Sequence, residues 1–260
     1  MGSLSFPAPQ THRTAAGLTV HTWPHAQPSA EPVLLVHGFA SSTLYNWVKT
    51  GWLDPLAATG RTVVSVDLPG HGESREINPA GLQTHQLLAD LHQVTQTAGG
   101  RVHLHGYSLG ARLCWQFAHR YPEAAASLVL GGPPVSDEVY QIDADQARAW
   151  AAEGVQPADE ATARFITVAA ALPGQHLPHV VELRIALGAD RYDPAAEVPE
   201  VRTLVVAGTE DSIAEGAEQL TDLVRDAGHE ARFVPIPGRN HVNALTARAY
   251  KQAVTEFLGR

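Results

Sequence analysis

Ser108 lies within Gly106-Tyr107-Ser108-Leu109-Gly110 of this 260-residue chain. The spacing is G-x-S-x-G, that of a nucleophile elbow. A serine hydroxyl attacks a carbonyl carbon only when the backbone presents it and a neighbouring base takes its proton. Glycine on either side suits such a turn, because a Cβ there would collide with the adjoining strand or helix. A helix starting just after the serine would favour negative charge developing beside it. A pentapeptide of this kind also occurs by chance. The rest of the chain must therefore supply a general base, an acid to orient that base, and donors for an oxyanion.

The segment 101–110 has the elements such a turn needs. Val102 and Leu104 alternate with His103 and His105, the period of a strand, and beyond the turn Leu109, Leu113, Phe117 and Ala118 recur at roughly helical spacing. Further strands are expected at 18–23, 33–36, 61–66, 126–130, 204–207 and 231–236, with a short edge strand near 10–13. The continuous apolar run at 33–36 suits a parallel strand buried on both faces. Helices are expected over 45–58 in two pieces broken near Gly51 and Pro55, over 81–98, over 213–227 and over 243–258. Strands alternating with helices predict an α/β fold: a mostly parallel central sheet of about eight strands with helices on both faces. In such sheets the functional loops lie at the carboxyl ends of the strands. The interval 133–197 breaks the rhythm, with helical patches at 146–152, 162–171 and 180–187 and no strand. It reads as a small helical cap inserted into a core made of 1–132 and 198–260.

Composition narrows the class further. With 44% hydrophobic residues the chain can bury a sizeable core. Net charge is −9 and the lysines are only Lys49 and Lys251, which argues against nucleic acid or an anionic membrane as partner. The lone cysteine, Cys114, excludes an internal disulfide and fits a small buried apolar residue. No apolar run reaches membrane-spanning length. The opening MGSLSFPAPQ lacks a charged region followed by an apolar one. A cytoplasmic monomer or homodimer acting on a small molecule is the expectation.

Four motifs stand in order: HGFASS from His37, DLPGHGES from Asp67, GYSLG from Gly106, then Asp211 and His241 after the last two strands. With this set the chain resembles the capped α/β-hydrolase fold family over about 18–258. The resemblance implies Ser108 as nucleophile, His241 as general base and Asp211 as the acid that orients it. It implies an oxyanion hole from the backbone N–H groups of Leu109 and Phe39. Glu210 beside Asp211, and Asp137 after the preceding strand, are alternative acids. The place three residues after the acid, often Pro in the family, is Ala214. The resemblance further implies an ester or lactone hydrolase working through an acyl-enzyme, on a small or medium, fairly apolar substrate and without cofactor. C–C bond hydrolysis, lyase, perhydrolase or cofactor-free oxygenase chemistry, and a hydrolase-like small-molecule receptor, share the same residue set.

Other residues carry weaker signals. Trp47, Tyr107, Tyr140, Trp150 and Phe165 are candidates to line the substrate site, with core or cap packing as the competing role; Trp52 and Tyr192 share that ambiguity. Arg184 and Arg191 could meet a substrate carboxylate or simply be solvated. The histidines lack the spacing of three or four convergent ligands, so no metal is expected. His37, His71 and Asp67 are expected to shape their own loops by hydrogen bonding.

Overall fold

The computed structural model describes residues 7–28, 30–138 and 141–259. Eight strands form one sheet: β1 (Gln10–Arg13), β2 (Thr19–Trp23), β3 (Val33–Val36), β4 (Val63–Val66), β5 (Val102–Tyr107), β6 (Ala125–Gly131), β7 (Thr203–Gly208) and β8 (Ala231–Ile236). Their order is β1-β2-β4-β3-β5-β6-β7-β8. The β1–β2 and β2–β4 pairs are antiparallel and all others parallel. Strands β3, β4, β5 and β7 are buried at every position, as strands covered on both faces must be.

Alternation along each strand divides the core. On one face Leu34, Val36, Leu104, Leu128 and Val205 pack against α2 (Thr84–Thr97), α3 (Leu109–Arg120) and α7 (Glu218–Asp226). On the other, Val33, Leu35, Tyr107, Val129 and Val206 pack against α1 (Leu53–Ala57) and α8 (Arg248–Leu258). Between β6 and β7 the chain forms α4 (Ala144–Glu153), α5 (Glu160–Ala169) and α6 (Leu177–Ala189). Asp143 and Asp159 cap the first two, accepting from the amides of Gln146 and Thr162. These helices share a small apolar cluster of Ala147, Phe165, Ile166, Ala169, Val180 and Val181. Leu183 and Leu187 of α6 belong instead to the main core, so α6 ties the insertion to the sheet domain. Among the described residues no helix is long and apolar enough to cross a membrane.

The element boundaries shift where local chemistry competes with helix formation. The expected helix over 45–58 becomes a π-helical turn at Leu44–Val48 followed by α1. Pro55 lies inside the first turn of α1, where its missing N–H costs nothing. The helix expected from 213 begins only at Glu218, because the amides of Ile213 and Ala214 donate to Asp211. The last helix starts at Arg248, after a 3₁₀ turn at Ala244–Thr246.

Candidate active site

Ser108 joins β5 to α3 with φ 54° and ψ −116°, a strained conformation for a non-glycine residue. Its amide donates to the Gly131 carbonyl (2.8 Å). The flanking glycines are required sterically. A Cβ on Gly106 would lie 2.2 Å from the Gly110 carbonyl oxygen, and one on Gly110 would lie 2.0 Å from the Val36 carbonyl oxygen. The turn therefore lets α3 pack directly on β5 and β3.

Two loops at the carboxyl ends of β7 and β8 meet this serine. His241 Nε2 is 2.9 Å from Ser108 Oγ, and His241 Nδ1 is 2.9 and 3.0 Å from the two oxygens of Asp211. The buried carboxylate of Asp211 also accepts from the amides of Ile213 (3.0 Å) and Ala214 (3.1 Å), which fixes its orientation. Gly208 brings the loops together, since a Cβ there would lie 2.0 Å from the Arg239 carbonyl oxygen. Glu210 is exposed, and Asp137 accepts from the Tyr192 amide (2.7 Å). Of the three acids considered, Asp211 is the one hydrogen-bonded to His241.

The loop after β3 faces the serine from the other side. The Gly38 amide donates to Asn46 Oδ1 (3.0 Å), and the Ala40 amide donates to His71 Nε2 (3.1 Å). Between them, the Phe39 amide has no hydrogen-bond partner among the described residues. The Leu109 amide opens α3, where no intrahelical acceptor exists. Sequence reasoning did not single out Asn46; the available signal was one polar residue in the apolar run Leu44-Tyr45-Asn46-Trp47-Val48.

Histidines and one aspartate brace this loop. His37 donates from Nδ1 to its neighbour's carbonyl at Gly38 (2.7 Å) and accepts the Leu68 amide at Nε2 (3.0 Å). His71 donates from Nδ1 to Pro69 and accepts Ala40 at Nε2. With both nitrogens engaged, neither ring is placed to relay a proton to Ser108. Asp67 accepts from the amides of Thr43 and Glu73 and from His21. Burial opposes its charge, but these donors and His37 hold its carboxyl at about 2. Among the described residues no group of three or more His, Cys, Asp or Glu could hold a metal ion.

Two of the expected lining residues are buried. Trp47 is fully buried beneath the sheet, 4.8 Å from the ring of His105 and 6.0 Å from that of Trp52. It cannot wall a cleft, because the π-helical turn points it into the α8 side of the core. Tyr107 is also buried, and its hydroxyl donates to the His241 carbonyl (2.5 Å). Its ring packs in the cluster on the α8 side of the sheet, 6.3 Å from the ring of Tyr250 and 5.5 Å from that of His241. Burial pushes its phenol well above the ordinary range, so it remains a neutral donor. Phe165 meets Phe39, with ring centroids 4.9 Å apart, and Arg184 lies over both rings at 5.5 and 5.9 Å. Trp150 is half-buried against the insertion's own cluster. Tyr140 lies outside the described residues.

The buried neutral histidines predict acid sensitivity. Burial lowers His71 and His105 to about 3 from an ordinary value of 6.5. The unfolded chain then takes up these protons first, so stability is full above pH 6.5 and is lost as pH falls toward 3. At pH 5 each histidine has withdrawn on the order of 2 kcal/mol. The melting temperature is expected to fall by about 10 °C between pH 7 and pH 5. An unchanged value in a calorimetric scan would show that these rings are protonated in the native state.

Residues 31–163 match the family described as the alpha/beta hydrolase fold. The provisionally named carbamate hydrolase RutD of Variovorax paradoxus is 26% identical, over 94% of this chain and 97% of its own length. The 2-hydroxy-6-oxononadienedioate/2-hydroxy-6-oxononatrienedioate hydrolase of Burkholderia vietnamiensis is 36% identical, but over 39% of this chain and 36% of its own. A thermophilic esterase from Thermogutta terrifontis superposes with TM-score 0.71 at 24% identity, covering 98% of both chains. At these identities the structural likeness concerns the fold.

Proposed function

The chain belongs to the α/β-hydrolase fold family, and on that premise we propose that it is a serine hydrolase cleaving an ester or lactone through an acyl-enzyme. The observation that carries this reading is the continuous hydrogen-bonded chain from Ser108 through His241 to Asp211. His241 Nε2 takes the hydroxyl proton as Ser108 Oγ attacks the acyl carbon. Asp211 holds the Nδ1–H tautomer and stabilises the imidazolium. The carbonyl oxygen, now negative, is met by the amides of Phe39 and Leu109, each worth roughly 3 kcal/mol in the transition state. The tetrahedral intermediate collapses, and His241 returns the proton to the departing alkoxide. Water, deprotonated by His241, then releases the acid and restores Ser108.

The helical insertion acts in this reading as a cap over the site, and Phe39 with Phe165 supports a fairly apolar substrate. The relative named as a 2-hydroxy-6-oxononadienedioate/2-hydroxy-6-oxononatrienedioate hydrolase makes an oxo-dienedioate the second substrate class to assay. A fluorophosphonate probe tests the mechanism. One adduct per chain is expected, mapped by peptide mass to Ser108 and accompanied by loss of p-nitrophenyl ester hydrolysis. Failure to label, or labelling at another residue, would overturn the proposal.

A further inference from the structure

Ala40 follows Phe39, whose amide has no hydrogen-bond partner among the described residues, and it adopts φ 55°, a left-handed conformation that an alanine rarely takes without restraint. Both of its backbone polar groups are held. Its amide donates to His71 Nε2 at 3.1 Å, from the sheet domain. Its carbonyl accepts from Gln175 Nε2 at 2.5 Å, from the segment leading into α6 of the insertion. The amide orientation of Gln175 follows from chemistry, since its oxygen cannot face a carbonyl oxygen. The neighbouring contacts run the same way. Phe39 packs on Phe165 of α5. The start of α6 sits on the loop that carries His71: His179 Nδ1 donates to the Arg75 carbonyl (2.8 Å), and a Cβ on Gly70 would lie 2.8 Å from the His179 carbonyl carbon. A left-handed alanine gripped from two sides has no local reason to keep its conformation once one grip is released.

We propose that Gln175 is a positioning residue that sets the oxyanion donor of Phe39 from the helical insertion, so that the oxyanion hole is complete only when the insertion is seated on the sheet domain. This rests on the serine-hydrolase reading above. Gln175 acts through Ala40 and touches neither nucleophile nor base. Its contribution therefore falls on the tetrahedral state, when the carbonyl oxygen becomes negative, and leaves ground-state binding nearly unchanged.

The test compares wild type with Gln175→Ala and Gln175→Glu. The glutamate keeps the size of the side chain but at neutral pH turns the donor into a charge facing the Ala40 carbonyl. Three quantities are read: kcat and KM on a p-nitrophenyl ester, the inhibition constant of an alkyl trifluoromethyl ketone that forms a tetrahedral adduct with serine, and the melting temperature. For Gln175→Ala, kcat is expected to fall about tenfold with KM within about twofold, and the ketone to bind more weakly by the same factor as the kcat loss. Gln175→Glu is expected to lose more than Gln175→Ala, with the melting temperature of both close to wild type. A packing role predicts the reverse order, because glutamate preserves volume, and that order would overturn the proposal. Unchanged kcat and ketone affinity, or an effect confined to KM, would overturn it as well. If wild type itself forms no adduct with the ketone, the serine-hydrolase reading has failed; a wild-type adduct with unaltered affinity in the variants sinks only the role of Gln175.

Discussion

Ser108→Ala is expected to lose about 10⁵-fold in kcat on an acyl ester, with a melting temperature within about 2 °C of wild type. The substitution removes one oxygen atom and leaves the elbow backbone alone, since alanine carries the same Cβ at φ 54°. Its structural cost is the hydrogen bond to His241 Nε2, on the order of 1 kcal/mol. On the proposed serine-hydrolase mechanism its chemical cost is the whole covalent path, because His241 and Asp211 would have no hydroxyl to activate. Residual hydrolysis of about 10³- to 10⁴-fold over water remains compatible with the reading, since the amides of Phe39 and Leu109 and the imidazole still surround a bound ester. Steady-state assays beside a thermal scan settle it. Retention of more than about 1% of kcat in a folded variant would move the nucleophile elsewhere or replace covalent catalysis by base-assisted attack of water.

Gly110→Ala is expected to be the most damaging single methyl group in the elbow. The added Cβ would lie 2.0 Å from the Val36 carbonyl oxygen, 2.6 Å from the Val36 carbonyl carbon and 2.7 Å from the His37 carbonyl oxygen. All three are main-chain atoms, so no side chain can rotate away, and α3 or β3 must shift as a unit. Overpacking of this kind costs about 4 kcal/mol or more, a drop of about 10 °C in melting temperature. The displaced backbone leads into Gly38 and Phe39, so activity falls even where the variant is folded. Gly81→Ala provides the contrast: φ is +75° but nothing lies within 4 Å of its Cβ. It meets only the backbone penalty of about 1–2 kcal/mol. Equal melting temperatures for the two variants would refute the close approach of α3 to β3.

Periodicity carried most of the fold. The runs that became β3 and β7 are apolar because parallel strands are covered on both faces, and that requirement is written in consecutive residues. The three helices of the insertion were legible for the same reason, through apolar spacing at 146–152, 162–171 and 180–187. Boundaries were less legible where a side chain took amides from a helix start, as Asp211 does at Ile213 and Ala214.

Which residue types stand at which strand ends can be read along the chain: a serine between glycines, an aspartate and a histidine after later strands, a His-Gly-Phe loop. Those are local patterns, and local sterics and hydrogen bonding write them into neighbouring residues. What meets what is set by packing between elements far apart in the chain. Ser108 and His241 are 133 positions apart, and strand order across the sheet brings them within 2.9 Å. The same long-range geometry buried Trp47, turned Tyr107 beneath His241 and laid Gln175 against Ala40. None of these has a signature in its neighbours, because the direction of a side chain is set by the element that packs against it, and that element lies far along the chain.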